Sequence, residues 1–182
     1  MAVYISLIRG INVAGHKIVK MDQLRTALEE LGFQKVQTYI QSGNIVFQLP
    51  KQSEATISKK IEDAIGKEFG HSAAVITLTA DEVKAALQGN PFLKKKGIDI
   101  TKLHVLFLSA RPEAADVKKL AAIPSRDDQF EWRDECIYLY LPNGAGESKL
   151  ATAPFDKLLS VQATARNWNT VNRLYQMSQE CG

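Results

Sequence analysis

Three stretches of the chain gather charged and hydrogen-bonding side chains at what read as the ends of secondary-structure elements. The first is Arg9-Gly10-Ile11-Asn12-Val13-Ala14-Gly15-His16-Lys17. Its two glycines let backbone approach a ligand closely, and Arg9 and Lys17 supply charge suited to a phosphate or carboxylate. No acidic residue precedes Asp22, so these cations have no partner close in sequence. The second is Gln41-Ser42-Gly43-Asn44, ordinary hairpin residues whose interest depends on where the turn emerges. The third runs from Ala163 to Thr170. There Asn167, Asn169 and Thr170 suit a helix N-cap, and Arg166 beside a helix N-terminus suits an anion. The candidate ligand-binding residues are therefore Arg9, Asn12, Lys17, Gln41, Ser42, Asn44, Arg166 and Asn167.

Other chemistries find no footing. Gly144-Ala145-Gly146-Glu147-Ser148-Lys149 lacks the four-residue spacer and the Lys-then-Ser order of a nucleoside-triphosphate loop, although a glycine turn feeding a helix can still hold an anion. His16, His71 and His104 show no metal-ligand spacing, and His104 lies in an apolar run that suits a packed imidazole. There is no GxSxG elbow, and Gly10 and Gly15 do not make a dinucleotide fingerprint. Cys136 and Cys181 form no CxxC pair and have no adjacent base. A Ser42 nucleophile with His16 or His71 as its base is conceivable, but no spacing favours it. The expectation is no metal, no cofactor and no catalytic residue that can be named.

Bulk composition sets the class. At 182 residues, 45% hydrophobic and 24% charged, the chain is long and apolar enough to fold without disulfides or metals. A net charge of +3 is too mild to require a nucleic-acid partner. No run of about 20 apolar residues suggests a membrane span, and the N-terminus lacks the features of a signal peptide. Two sparse thiols suit a reducing compartment, so a cytoplasmic location and no membrane partner are expected.

The elements that must position these residues follow from hydrophobic periodicity. Val3 to Ile8 reads as a buried strand, and Met21, Leu24, Leu28 and Leu31 mark a helix that Gly32 stops. Residues 35–40 and 44–47 alternate around the Gln41-Ser42-Gly43 turn as a hairpin. Ile57, Ile61, Ile65 and Phe69 mark a second helix ending at Gly70, and residues 74–78 a fourth strand. The order β-α-β-β-α-β is that of a ferredoxin-like split βαβ unit. In that topology the first two strands run the same way, so the loop after strand 1, the turn after strand 2 and the segment entering strand 4 emerge together. Arg9, Asn12, His16, Lys17, Gln41, Ser42, Asn44 and His71 are thereby expected around one hollow. The second half partly repeats this order, as strand 103–108, a helix opened by Pro112, strands 129–132 and 136–141, and a helix from about Ser148 that Pro154 breaks. A short strand near 161–164 would complete it, ahead of a closing helix through Val171, Leu174 and Met177. The fold expected is α+β, with a ferredoxin-like lobe over residues 1–93 and a related lobe over residues 98–182, read as β-α-β-β-α-α with a C-terminal helix. Lys94-Lys95-Lys96-Gly97 is taken as the join.

Four segments together resemble one family. They are Ile8-Arg9-Gly10-Ile11-Asn12-Val13, Tyr39-Ile40-Gln41-Ser42-Gly43-Asn44 with Phe47, Asn90-Pro91-Phe92, and Thr164-Ala165-Arg166-Asn167-Trp168-Asn169-Thr170-Val171. In order and spacing they are similar to a widespread bacterial family catalogued as a conserved domain of unknown function. Val13-Ala14-Gly15-His16 departs from relatives with a second glycine there, and Pro154 interrupts an expected helix. The resemblance implies an α+β fold of two related lobes and assigns no activity. Three functional readings follow: binding of a small phosphorylated or carboxylated metabolite, a nucleic-acid module presenting Tyr4, Tyr39 or Phe47 on a sheet, and an interaction module without a small ligand.

Overall fold

The computed structural model describes residues 1–182. β1 (Ala2–Arg9), α1 (Met21–Glu30), β2 (Gln34–Tyr39), β3 (Asn44–Leu49), α2 (Glu54–Phe69) and β4 (Ala74–Thr79) follow the expected order. Their strands pair as β2-β3-β1-β4, each neighbour antiparallel, which is the split βαβ arrangement. Strand alternation sends Tyr4, Ile8, Ile45, Phe47 and Val75 to one face, where they meet Leu24 and Leu28 of α1 and Ile57, Ile61 and Ile65 of α2. Each such buried side chain contributes about 1.5–3 kcal/mol. Ser53 caps α2 by accepting from the Thr56 N–H, and Gly70, where the helix is expected to end, stops it in the left-handed region at φ 69°.

A short polar chain crosses this otherwise apolar layer. Ser6, fully buried on β1, lies 2.8 Å from the Thr77 hydroxyl on β4, and Ser58 of α2 donates to the same Thr77 oxygen at 2.9 Å. One hydroxyl therefore joins two strands to a helix.

The second half repeats the topology. After α3 (Ala80–Gln88), β5 (Leu103–Leu108), α4 (Ala114–Lys118), β6 (Gln129–Arg133), β7 (Cys136–Tyr140), α5 (Phe155–Leu159) and β8 (Ala163–Asn167) follow, their strands forming a sheet ordered β6-β7-β5-β8. The β-α-β-β-α-α reading of this lobe is thus corrected to β-α-β-β-α-β, followed by α6 (Trp168–Cys181). The reason is local. The short strand expected near 161–164 forms at Ala163–Asn167, where only two positions are buried, so the apolar pattern sets its bounds weakly and edge pairing to β5 fixes them. The helix expected from Ser148 is replaced by turns, with helix resuming only after Pro154.

By contacts, the chain divides into two compact units, Met1–Lys84 with Arg173–Gly182, and Ala85–Asn172. The end of α6 therefore belongs with the first sheet. Gln48 donates to the Cys181 carbonyl at 2.8 Å and Lys35 at 3.0 Å, satisfying a carbonyl that a helix C-terminus leaves open. The Lys94–Lys96 run lies inside the second unit, where Lys95 sits 4.4 Å from the centre of the Phe92 ring. The two cysteines are unlinked, and no helix is long and apolar enough to cross a membrane.

Two stability measurements test this packing. Thr77→Val keeps the shape but strands the Ser6 and Ser58 hydroxyls, so urea unfolding should show a loss of about 1–3 kcal/mol; an unchanged midpoint would discount the polar chain. His104 of β5 has a buried, unpartnered Nδ1, and burial holds its imidazole below the ordinary histidine range. The folded state thus binds fewer protons than the unfolded state. The stability this gives is complete above the unfolded pKa of about 6.5 and is lost as pH falls through the folded one. His104→Leu should lose less stability than the parent between about pH 7 and 5 in parallel urea titrations.

Candidate functional site

Three segments converge at one end of the first sheet, and a hydrogen bond documents each approach. The Ile8 N–H donates to the Gly43 carbonyl at 2.7 Å, joining the end of β1 to the turn after β2. Asn12 Nδ2 donates to the Gln41 carbonyl at 2.9 Å, joining the long loop to that turn. Lys17 Nζ donates to the Ser72 carbonyl at 2.7 Å, joining the loop to the segment that enters β4. The shared edge expected from topology is present.

The loop's shape comes from residues able to occupy positive φ. Ala14 and Gly15, at φ 48° and 77°, make a two-residue turn closed by His16 N–H to Val13 C=O at 2.9 Å. Asn12 itself lies at φ 54°, where a short polar side chain is better tolerated than an aliphatic one. Its carboxamide then organises the surroundings. Oδ1 accepts from the Val19 N–H at 2.9 Å, while Nδ2 donates to the carbonyls of Val19 and Gln41, both at 2.9 Å. Asn12 is therefore a positioning residue whose polar atoms are already engaged.

Asn44 plays the matching part in the turn. It is fully buried, and its Nδ2 donates to the Tyr39 carbonyl at 3.0 Å and the Ser42 hydroxyl at 2.9 Å. Gly43 is required twice over. It lies at φ 81°, and a Cβ there would come within 2.8 Å of Ile8 Cβ and 3.1 Å of the Ile8 carbonyl. Ile40 takes φ 50° although β-branched, a conformation that stores on the order of 1–3 kcal/mol of strain. Gln41 and Ser42 remain exposed at the tip.

Beside this edge lies a cleft of about 450 Å³ whose lining includes Lys67 of α2, His71 and Ser72. Its two carboxylates are already matched: Glu62 accepts from the Val75 N–H at 3.0 Å, and Asp63 pairs with Lys59 at 2.7 Å. Lys17 reaches the cleft wall at Ser72, and Arg9 is the register partner of Ala74, two residues further along the same segment. The net character of this corner is positive. Lys67 was not among the residues singled out from sequence, where a lysine in a last helical turn reads only as a match to the helix dipole.

Arg166 and Asn167 lie in the other unit. Arg166 Nη1 donates to the Thr164 hydroxyl and the Ala165 carbonyl, both at 2.8 Å, and burial pulls its pKa down to about 10, so it stays charged at neutral pH. Asn167 Oδ1 accepts from the Thr170 N–H at 2.8 Å and so caps α6. Trp168 is a buried plug. Tyr4 and Phe47 are core residues stacked at 6.0 Å, which removes both as base-stacking platforms. No group of three or more His, Cys, Asp or Glu side chains is placed to hold a metal ion.

Comparison with known proteins gives the same picture of the fold. The family described as "Protein of unknown function (DUF1697)" matches residues 1–138. The conserved bacterial protein SP0830 from Streptococcus pneumoniae has a solved structure that is similar at 27% identity and a TM-score of 0.73, covering 97% of this chain and 98% of that one. No curated protein matches this chain by sequence.

Gly43→Ala should destabilise the protein by about 1–3 kcal/mol, because overpacking against Ile8 adds to an unfavourable φ. Urea denaturation measures this, and a shift below about 0.5 kcal/mol would show that the turn relaxes freely.

Proposed function

We propose that this chain, which belongs to the DUF1697 family, binds a small anionic metabolite through a phosphate or carboxylate at the loop edge of its first unit. The observation that carries this reading is the Lys17 ammonium, anchored 2.7 Å from the Ser72 carbonyl on the wall of the 450 Å³ cleft. An ammonium has three N–H donors, and this contact uses one. Lys67 and His71 add donors in the same cleft, and Arg9 lies in register with Ala74 at its edge. A ligand anion would thus meet several donors, with Asp63 neutralised by Lys59 and Glu62 turned to the Val75 N–H.

The residues divide by role. Arg9, Lys17, Lys67 and His71 are assigned to the anion, with Gln41 and Ser42 on the adjoining turn toward the rest of the ligand. Asn12, Gly43 and Asn44 are assigned to holding the loops in place. Fixing the loops beforehand lowers the ordering cost on binding, which is the physical use of a strained turn locked by side-chain hydrogen bonds. The reading is one of binding and assigns no reaction.

Inorganic phosphate and a panel of phosphorylated and carboxylated metabolites should raise the melting temperature, by linkage worth about 2.7 kcal/mol at a hundredfold excess over Kd. The shift should shrink in high salt and fall at least about tenfold in apparent affinity in Lys17→Ala and Lys67→Ala. Both side chains are exposed, so these variants should fold normally. A full phosphate shift in both variants would defeat the assignment.

A further inference from the structure

A second cleft, of about 650 Å³, lies wholly within the Ala85–Asn172 unit. That volume is in the range of small-molecule sites. One wall is the segment Pro124 to Asp128, and the other is the glycine turn after β7, from Asn143 to Lys149. The two walls are tied together. Ser148 Oγ donates to Asp128 Oδ2 at 2.7 Å, and Asn143 Nδ2 donates to Asp127 Oδ2 at 3.3 Å. Ser148 is 4% exposed and also accepts from the Ala151 N–H at 2.9 Å, so the hydroxyl that orients Asp128 is itself held in place.

The charges in this cleft are mixed in sign and form no ion pairs with one another. Arg126 and Lys149 bring two cations, Asp128 and Glu147 two carboxylates. The side chains of Arg126, Lys149 and Glu147 make no ion pair or hydrogen bond with any protein group. Asp128 uses one oxygen on Ser148 and keeps the other unpartnered by protein. A simple anion would be attracted by the cations but repelled by the carboxylates, and a metal ion would meet the reverse. Only a molecule carrying both charges is favoured by all four groups at once.

We infer that this cleft binds a small zwitterion of amino-acid to dipeptide size, with its carboxylate on Arg126 and Lys149 and its ammonium on Asp128 and Glu147. A planar guanidinium matches a carboxylate in two-point contact, and an ammonium shares its three donors between two carboxylates. The site is independent of the anion site in the first unit.

Calorimetric titration of the full chain with L-alanyl-L-alanine tests the assignment, run beside its N-acetylated and C-amidated forms. The free dipeptide should bind, and blocking either end should weaken binding at least about tenfold, the size of a lost charge-assisted hydrogen bond. In Glu147→Gln the difference between free and N-acetylated dipeptide should narrow. In Lys149→Gln the difference between free and C-amidated dipeptide should narrow. Neither side chain has a protein partner, so both variants should keep the parent melting temperature. Equal binding of the blocked forms would overturn the inference, as would no binding of the free dipeptide or binding of magnesium or inorganic phosphate alone.

Discussion

The first unit's loop edge depends on one carboxamide. Asn12 sits at φ 54° and satisfies the N–H and C=O of Val19 and the C=O of Gln41. A loop of about ten residues has too many conformations to stay ordered without such a fixed point, since each ordered residue costs about 1–2 kcal/mol of backbone entropy. Once Asn12 is placed, the small turn at Ala14-Gly15 closes and Lys17 is carried to Ser72. The close approach of Ile8 to Gly43, which admits no Cβ, sets the depth at which the two loops meet. Removing either constraint would free the cations from their common corner.

The same economy of polar groups recurs elsewhere. A single threonine hydroxyl joins β1, β4 and α2. One serine hydroxyl joins the two walls of the second cleft. The carbonyl of Cys181 at the end of α6 takes donors from Lys35 and Gln48. In each case a buried or half-buried polar group links elements distant in sequence, where geometry must be met and an unmade hydrogen bond is expensive. Apolar burial makes the two sheets stable, and these few directional contacts fix how loops and termini attach to them.

Both units show the strand order of a split βαβ, with antiparallel neighbours throughout. Their sequences do not make this obvious. In the first unit long helices and β-branched strands announce each element. In the second, α4 and α5 have five residues each, and β8 alternates weakly. Short elements carry little periodic signal, because one or two turns hold too few apolar positions to define a face. Their formation rests on packing against β5 and β7 and not on local propensity.

By itself the sequence determined the β-α-β-β-α-β order of the first half, from apolar period and from stops such as Gly70. That order already implied that the Arg9–Lys17 loop and the Gln41–Asn44 turn share an edge. The family likeness lay in the same loops. Tertiary structure decided what the polar residues do there. Asn12 and Asn44 read alike as ligand contacts, yet the Asn12 carboxamide is engaged by the Gln41 carbonyl across the edge and that of Asn44 by the Tyr39 carbonyl of its own hairpin. Lys67 joined the basic corner only because α2 ends beside Ser72. The closing helix joined the first sheet because donors at Gln48 and Lys35 were in reach of its last carbonyl. Periodicity is local and legible in one dimension. The partner of a hydrogen bond separated by tens of residues is set by the fold that brings it near.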